Sequence, residues 1–375
     1  MIQIKDKVNC CGCHACSSIC PSRCITMQSD EQGFLYPSID EDVCVNCGLC
    51  EKVCPVININ NGRKPIKTYA SKNLDDEIRK SSSSGGVFSL LAEKVIKEGG
   101  VVFGAKFNDN WEVVHSWTDS IEGLESFRGS KYSQSVMGET YKFVQTFLMQ
   151  ERKVLFSGTP CQISGLKHFL RKEYVNLITI DIACHGVPSP LIWKRYLQDI
   201  NPNHEKIEYI SMRDKTEGWK NYYIRVQGTT STLCFDTVRT NIFMRGYLSN
   251  IFLRPSCYQC SFRSGKSGSD ITIADFWGIR HCRADFDDDM GVSLVMINSE
   301  NGLKIYNELV VSHHEVTYEQ GIIENSCLEN SVIKPIYYYN KFWQSSIGIE
   351  SIDRISKIMR LPFLKRMIMR LIKLV

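Results

Sequence analysis

Cys10-Cys-Gly-Cys-His-Ala-Cys-Ser-Ser-Ile-Cys-Pro21 is the stretch that decides the fold of the N-terminal region, because Cys44-Val-Asn-Cys-Gly-Leu-Cys-Glu-Lys-Val-Cys-Pro55 repeats its spacing. Both stretches follow the pattern C-x2-C-x2-C-x3-C-P. Three thiolates at these intervals can wrap a tight loop around three corners of an iron–sulfur cubane, while the fourth cysteine points away toward another cubane. The repeated spacing therefore predicts two 4Fe–4S clusters within residues 1–58.

Each predicted cluster takes three cysteines from one stretch and the fourth from the other. The ligands of one cluster are Cys10, Cys13, Cys16 and Cys54, and those of the other are Cys44, Cys47, Cys50 and Cys20. This is the arrangement of bacterial ferredoxins, so we expect an α+β, ferredoxin-like two-cluster module. Zinc is a poorer interpretation, because it takes four ligands in two CxxC pairs. Cys11 and Cys24 are surplus, and we do not expect them to bind iron.

The cysteine content and the N-terminal residues indicate the cellular compartment of the protein. Ten of the 17 cysteines lie between Cys10 and Cys54, and seven are scattered over the rest of the chain. No apolar run follows the charges after Met1, as it would in a signal peptide, and no stretch reaches the ~18 apolar residues of a membrane-spanning helix. The sequence therefore predicts a cytoplasmic protein, in which metal binding or redox chemistry explains the cysteines better than disulfides do.

The basic charge is concentrated in a C-terminal tail, residues 346–375. The formal net charge is +4, but residues 351–375 contain seven Lys or Arg and one Asp, so the remaining chain is near −2. This distribution does not favour nucleic-acid binding. After Pro362, apolar and basic residues fall on opposite faces of a predicted helix. Such a helix suits peripheral contact with an anionic membrane, or else packing on its own domain or at a subunit interface of a homo-oligomer.

The pattern changes after the cysteine-rich module. Residues 59–66 are polar with glycine and proline and are typical of a linker. Residues 67–345 then predict a larger α/β domain with a mixed, mostly parallel sheet. Helices are expected over Val87–Lys97, Glu139–Met149, Gln162–Arg171 and Leu191–Asp199, and strands over Val101–Phe107, Val113–Trp117, Val154–Ser157, Leu177–Ile182, Ile271–Asp275 and Val292–Asn298. The shortest apolar runs are typical of buried parallel strands.

Four cysteines of the body stand where a further site is expected. Cys161 and Cys184 each follow a predicted parallel strand, at the edge of the sheet where open α/β folds bind their ligands. Cys257 and Cys260 form a CxxC pair further along the chain. Together they predict a third cluster, with a structural zinc, a redox dithiol or buried thiols as the alternatives.

Two polar segments contain residues that suit an anionic ligand. Residues 81–86, Ser-Ser-Ser-Ser-Gly-Gly, precede a predicted helix and can present backbone N–H groups to a phosphate. In the second segment, Phe127–Ser135, Arg128 and Lys131 could bind phosphate and Tyr132 could stack on an aromatic ring. A flexible loop with an N-cap, or an ordinary polar loop, is the alternative for each.

Six segments of the chain occur in one order: Ser83-Ser-Gly-Gly-Val-Phe88, Arg128-Gly-Ser-Lys-Tyr132, Gly158-Thr-Pro-Cys-Gln162, Cys184-His-Gly-Val-Pro-Ser189, Cys257-Tyr-Gln-Cys260 and Asp270-Ile-Thr-Ile-Ala-Asp-Phe-Trp-Gly278. Together they resemble the beta-subunit family of coenzyme F-420 (deazaflavin) hydrogenases and dehydrogenases, over residues 66–345. The resemblance implies FAD and a 4Fe–4S cluster on Cys161, Cys184, Cys257 and Cys260. It also implies flavin contacts at Ser83, Ser84, Gly85, Gly86, Arg128, Ser130, Lys131, Tyr132 and Gln134.

The resemblance further implies an iron–sulfur, flavin-dependent oxidoreductase. A redox-protein donor such as a ferredoxin would supply electrons through the clusters and FAD to an unidentified small-molecule or protein acceptor. The Trp277-Gly278 end of the sixth segment and the strand at 291–294 are most similar to a bacterial branch linked with polysaccharide biosynthesis. The alternatives are an electron-transfer subunit without its own substrate, a reductase of the deazaflavin coenzyme, and a regulatory or assembly protein that uses its clusters for sensing.

His185 is the one catalytic residue that the sequence suggests. It directly follows Cys184, so it could donate a proton to a reacting group or a hydrogen bond to a cluster sulfur. The alternative is a structural role, in helix capping or as a satisfied polar side chain.

Overall fold

The computed structural model describes residues 1–344, and the two cysteine stretches form a small α+β module at its N-terminus. The module consists of helix α1 (Ala15–Ile19), the antiparallel hairpin of strands β1 (Ile25–Ser29) and β2 (Leu35–Ile39), and helix α2 (Leu49–Lys52). Four of the six residues in its buried apolar cluster are cysteines: Ile2, Cys16, Cys24, Ile25, Cys50 and Cys54. So small an apolar core is a weak source of stability, and we expect bound metal to contribute much of it.

The body contains the remaining elements of the described residues. Its strands are β3 (Lys67–Lys72), β4 (Val101–Phe107), β5 (Val113–Thr118), β6 (Val154–Gly158), β7 (Leu177–Ile182), β8 (Ile207–Asp214), β9 (Tyr223–Gly228), β10 (Thr232–Thr237), β11 (Ile271–Asp275), β12 (Ser293–Ile297) and β13 (Ser312–Val316). Its helices are α3 (Asp76–Ser81), α4 (Val87–Lys97), α5 (Thr140–Met149), α6 (Pro160–Leu170), α7 (Pro190–Ile200), α8 (Ile242–Leu248), α9 (Glu300–Asn307), α10 (Tyr318–Ile322) and α11 (Ile336–Gln344). Every helix and strand predicted within residues 67–345 is present, with each boundary within two residues of its expected position.

Eight strands form one mixed sheet in the order β13-β3-β12-β11-β7-β6-β4-β5. The four central strands β11, β7, β6 and β4 pair in parallel, and the other neighbours pair antiparallel. The sheet is therefore mixed as predicted, but "mostly parallel" describes only its core. Helical crossovers through α5 and α6 bring the chain to β6 and β7 in the same direction as β4, whereas β5 follows β4 through a short hairpin that reverses it.

Helices cover both faces of the parallel core. In β4, Val101 and Phe103 pack with α5 and α6, whereas Val102 between them packs with α4 on the other face. All three side chains are fully buried. Burial on both faces explains why these strands appear in the sequence as continuous apolar runs rather than as alternating patterns.

A second sheet, β8-β9-β10, was not predicted from the sequence. Its three antiparallel strands share an apolar core with α7 and α8, in which Trp193, Tyr196 and Phe243 are among the buried side chains. In Tyr223–Gly228, buried residues alternate with half-buried ones, so no long apolar run marks this strand. This sheet matters because it contributes one wall of the cavity described below.

The N-terminal module lies directly on the body. Residues 59–66, the predicted linker, contain no helix or strand, and two of their backbone N–H groups bond to the body: that of Arg63 to Ser264 O (3.2 Å) and that of Ile66 to Ile297 O (2.6 Å).

The predicted tail, residues 346–375, lies outside the described residues. Within residues 1–344, no helix is long and apolar enough to cross a membrane.

Candidate metal centres and an adjoining cavity

The predicted cluster ligands of the module surround two separate small cavities. One is lined by Cys10, Cys13, Cys16 and Cys54, together with the surplus Cys11. The other is lined by Cys20, Cys44, Cys47 and Cys50, together with the surplus Cys24. The structure thus brings together the two crossed sets of cysteines, three from one stretch and one from the other.

Electrostatics within the first cavity fit a cationic cofactor. Burial, together with the charges of the neighbouring Cys10 and Cys54, raises the pKa of the Cys16 thiol to about 12. Thiols packed so closely cannot ionise together without a compensating positive charge, which bound iron supplies. Within the described residues, no three cysteine, histidine or carboxylate side chains converge as closely as one metal ion requires. The thiolates of a cubane each bind a different iron and therefore stand farther apart.

The body cysteines converge from three elements. Cys161 lies in the first turn of α6, which Thr159 caps with Gln162 in a capping box. Cys184 follows β7, and the charges of Cys257, Cys161 and Cys260 all raise its pKa, after burial as the main cause. The four predicted ligands of the third cluster are therefore neighbours, although 99 residues separate the first from the last.

Arg263 lies beside this group. Its guanidinium donates hydrogen bonds to the carbonyl oxygens of Cys184 and Cys327, and the charges of Cys184, Cys260 and Cys327 raise its pKa against the effect of burial. Cys327, which belongs to none of the motifs identified in the sequence, therefore adjoins the predicted cluster site. No signal in its local sequence would have revealed this.

A cavity of about 460 Å3 adjoins Cys184. Eight of the nine predicted flavin contacts line it: Ser83, Ser84, Gly86, Arg128, Ser130, Lys131, Tyr132 and Gln134. The two polar segments meet there through a hydrogen bond of 2.8 Å between the hydroxyls of Ser83 and Ser130. The volume lies within the range of small-molecule sites.

Gly85 is the predicted contact that does not line the cavity. Its N–H donates to Ser293 Oγ (3.0 Å), so this donor is not free for a phosphate. A Cβ at this position would stand 2.4 Å from Ser71 O, which makes glycine necessary for packing against the sheet. The neighbouring Gly86 has φ +81° and begins helix α4 at the cavity wall.

Lys131 is a half-buried amine in the wall of the cavity. Its Nζ donates to the carbonyl oxygens of Arg128 (2.8 Å) and Gly129 (3.3 Å). Burial lowers the pKa of Lys131 to about 7. An anionic ligand at this amine would favour its charged form.

Comparison with known protein families matches three segments of the chain. The model described as 4Fe-4S dicluster domain matches residues 9–58. Those described as the N-terminal and C-terminal parts of the coenzyme F420 hydrogenase/dehydrogenase beta subunit match residues 68–141 and 151–320. The chain contains both beta-subunit domains behind a 4Fe-4S dicluster domain.

Individual relatives agree with this assignment. The chain is 26% identical over 190 residues to a subunit of the F(420)H(2) dehydrogenase of Methanosarcina mazei, which covers 47% of this chain and 53% of that protein. It is 26% identical over 222 residues to the coenzyme F420-dependent sulfite reductase of Methanocaldococcus jannaschii, covering 56% of this chain and 33% of the relative. The chain therefore spans about half the length of the first relative and a third of the second.

The N-terminal module has relatives of its own. Over 64 residues it is 39% identical to the 7Fe ferredoxin of Hydrogenibacillus schlegelii, covering 16% of this chain and 76% of that protein. Among solved structures, a chain of the F420-reducing NiFe hydrogenase complex from Methanosarcina barkeri matches with a TM-score of 0.44 and 17% identity, covering 77% of this chain and 95% of that one.

Within the C-terminal beta-subunit domain, the second sheet adds cavity residues that sequence reasoning missed. Arg213 of β8 lines the cavity, forms an ion pair with Asp275, and has its guanidinium carbon 4.6 Å from the Tyr222 ring centroid and 5.0 Å from that of Trp277. Only 6% of Arg213 is exposed, and its Nε and Nη2 have no hydrogen-bond partner within residues 1–344. Sequence order alone could not reveal it, because β8 reaches the cavity only through tertiary packing.

His185 also lines the cavity, beside Cys184. Its Nε2 lies 2.6 Å from Asn250 Oδ1, and burial lowers its pKa. Because an amide oxygen only accepts, Nε2 carries the proton and the neutral ring is held by Asn250. The position is compatible with a proton-transfer role, which remains a prediction.

Proposed function

We propose that this chain is an iron–sulfur flavoprotein oxidoreductase that passes electrons from a low-potential donor through 4Fe–4S clusters to FAD and on to an acceptor. The observation that supports it most is the continuity of the three sites. The Cys11 thiol contacts both Cys13 of the module and Cys161 of the body, and Cys184 of the body lines the large cavity. Cofactors in these places would follow one another in the order module cluster, body cluster and flavin.

Gln134 supports the same order of sites. Its side chain lines the large cavity, and its Nε2 donates to the carbonyl oxygen of Cys11 (2.9 Å). Thr159 also lines the cavity, and its hydroxyl lies 3.2 Å from Cys161 Sγ. The side chains of Gln134 and Thr159 therefore extend from the cavity wall to the predicted cluster loops of the module and of the body. These contacts fix the position of the cavity relative to both loops.

The residues of the cavity fit a flavin dinucleotide. One hydroxyl of the Ser83–Ser130 pair remains free to donate, and together with the charge of Lys131 it can hold the pyrophosphate, whereas the Ser84 hydroxyl donates to Val292 O (2.7 Å). A Cβ at Gly129 would meet no atom within 4 Å, so the backbone there is open to close approach by a ligand. When bound, a flavin exchanges electrons singly with clusters and in pairs with a substrate. The protein's own part is to position it and to exclude water.

Cofactor analysis of anaerobically purified protein tests this function. We expect about twelve irons, about twelve acid-labile sulfides and about one FAD per chain, the stoichiometry of three cubanes and one flavin. Protein containing about eight irons and no flavin would reject a flavoprotein and leave only an electron-transfer module. Stoichiometric zinc in place of the last four irons would reject the body cluster.

A second candidate is an electron-transfer subunit without its own substrate. It is favoured by the name of the Methanosarcina mazei relative, which is a dehydrogenase subunit. The names of both relatives refer to the deazaflavin coenzyme. Reduction of that coenzyme by the holoprotein would instead support a reductase of it. The link with polysaccharide biosynthesis rests on the sequence resemblance alone.

Membrane contact through the C-terminal tail is a separate prediction. Flotation with anionic vesicles, for the full chain and for a version ending at residue 345, tests it. Equal flotation of the two proteins would reject the membrane interpretation and favour packing of the tail on protein.

A further inference from the structure

Arg254 is a buried charge without a carboxylate partner among the described residues. It is fully buried, and its guanidinium donates to neutral acceptors: Nε to Cys10 O (2.8 Å), Nη1 to Gln134 Oε1 (2.9 Å) and Nη2 to Leu35 O (2.9 Å). Nη2 also lies 3.5 Å from Cys10 Sγ. Within residues 1–344, no carboxylate oxygen approaches it closely enough for an ion pair. A buried cation normally requires a compensating anion.

Aromatic rings supply part of the compensation. The guanidinium carbon lies 4.3 Å from the centroid of the Tyr36 ring and 5.5 Å from that of Phe34. Such contacts are worth up to about 2 kcal/mol when desolvated, which is less than the several kcal/mol that it costs to bury a charge. A further source of negative charge is therefore needed.

A further source of negative charge is a thiol of the predicted Cys10 cluster. Nη2 of Arg254 donates to Cys10 Sγ (3.5 Å), and Nε donates to the carbonyl oxygen of the same residue. Cluster binding turns the Cys10 thiol into a permanent thiolate. Arg254 then faces an anionic centre at that site.

We propose that Arg254 is the counter-charge of the Cys10 cluster, and that it raises the reduction potential of that cluster. This inference rests on the proposed function. A guanidinium that donates to a ligand sulfur stabilises the reduced cluster, which carries one more negative charge than the oxidised one. A single electron accepted from a one-electron donor protein would therefore reside mainly on the Cys10 cluster. This cluster is the one of the two module clusters that lies nearer the body.

The second module cluster has different surroundings. Cys47 and the adjoining Val45 and Asn46 are exposed, so solvent screens the charge of a cluster at that site. Cys10 and its neighbours are shielded by the body, where a charge acts through a lower effective dielectric. Arg254 is thus placed to make the reduction potentials of the two module clusters differ, although each cluster is predicted to have four cysteine ligands.

An EPR-monitored redox titration of the full-length, fully loaded protein tests this. In Arg254→Gln, we expect one of the three reduction steps to move to a more negative potential. At the wild-type midpoint potential, the ratio of reduced to oxidised cluster should be about tenfold lower, which corresponds to a shift of about 59 mV for one electron. Arg254→Lys keeps the charge and should move the same step less. Arg263→Gln is the matched control, because Arg263 contacts only the body site and should leave the step affected by Arg254 unchanged.

Gln134→Glu provides a second measurement if Arg254→Gln loses iron. It places a carboxylate at the atom 2.9 Å from Arg254 Nη1, so it neutralises the guanidinium without removing it and should lower the same potential. Normal iron content with all three steps unchanged in both variants would overturn the proposal. That result differs from failure of the proposed function, which would appear as missing iron or flavin in the wild-type protein.

Discussion

Cys13 of the first cysteine stretch packs on Gly165 of helix α6 so closely that a Cβ at residue 165 would stand 2.9 Å from the Cys13 Cβ and 3.0 Å from its Sγ. The hydroxyl of Tyr141 would be equally near, at 2.9 Å. Helix α6 is the same helix that carries Cys161 in its first turn. The absence of a side chain at 165 therefore allows a predicted ligand of the module cluster to approach the helix of a predicted body ligand.

Enlarging Gly165 should separate the module from the body. We expect Gly165→Leu to lower the free energy of unfolding by about 1–3 kcal/mol, because the buried interface has no room for the added side chain. Thermal unfolding of the loaded protein measures this. The control is Gly99→Ala, whose Cβ would meet no atom within 4 Å and which carries only the strain of φ +76°. A midpoint for Gly165→Leu at or above that of the control would contradict tight docking.

The crossed ligand sets predict which cluster each cysteine variant loses. Cys20→Ala should abolish the cluster that also uses Cys44, although Cys20 lies in the first stretch, and Cys54→Ala should abolish the cluster that uses Cys10. Iron analysis should show about four irons fewer in each variant, and the EPR spectrum should lose a different component in each.

Cys24→Ala is the matched control for this pair of variants. The Cys24 thiol lies 3.4 Å from Cys20 Sγ, yet we do not expect it to bind iron. Full iron content in this variant is therefore expected. A cluster lost from Cys24→Ala, or the same EPR component lost from both ligand variants, would reject the assignment.

Arg213 and Asp275 should stabilise the protein as a pair. Arg213→Met leaves Asp275 with the Trp219 Nε1 donor at 3.1 Å but without its counter-charge. Loss of one partner of a buried ion pair costs about 3–5 kcal/mol. The double variant Arg213→Met with Asp275→Leu should cost clearly less than the sum of the single variants. Urea unfolding of all four proteins measures the coupling, and strictly additive effects would show that the pair is not coupled.

Flavin affinity should fall as the pH rises above about 7. The pKa of Lys131 in the free protein is lowered to about 7 by burial, and a bound phosphate would raise it. The attraction is thus fully present below the pKa of the free protein, and it is lost as the pH rises through the higher pKa of the complex. Titration of FAD by fluorescence between about pH 6 and about pH 9 measures this slope.

Lys131→Arg is the control for the pH dependence, because an arginine stays charged over this range. Its affinity for FAD should vary less with pH than that of the wild type. Identical slopes in the two proteins would show that Lys131 is not the titrating group.

Much of the fold was predictable because its elements are local. The capping residue Ser189 and Pro190 at the start of α7, like Thr159 and Pro160 at the start of α6, mark helix starts in the sequence itself. The second sheet escaped prediction because its strands alternate polar and apolar residues and bury one face against distant helices. The extent of the parallel region was likewise overestimated, since strand direction depends on connections that no single segment contains.

The cysteine spacing by itself predicted the two crossed sets of cysteines, which line two separate cavities, because three cysteines of each set are held within one short loop. Spacing could not reveal that Arg254, 244 residues beyond Cys10, supplies a buried charge to that loop, or that Arg213 enters the cavity from the second sheet. Their positions depend on how the sheets and the module pack together. Only the tertiary structure decided these positions. The effect of a charge depends on its distance in space from other groups, and the residues next to an arginine in the sequence do not reveal which groups it faces.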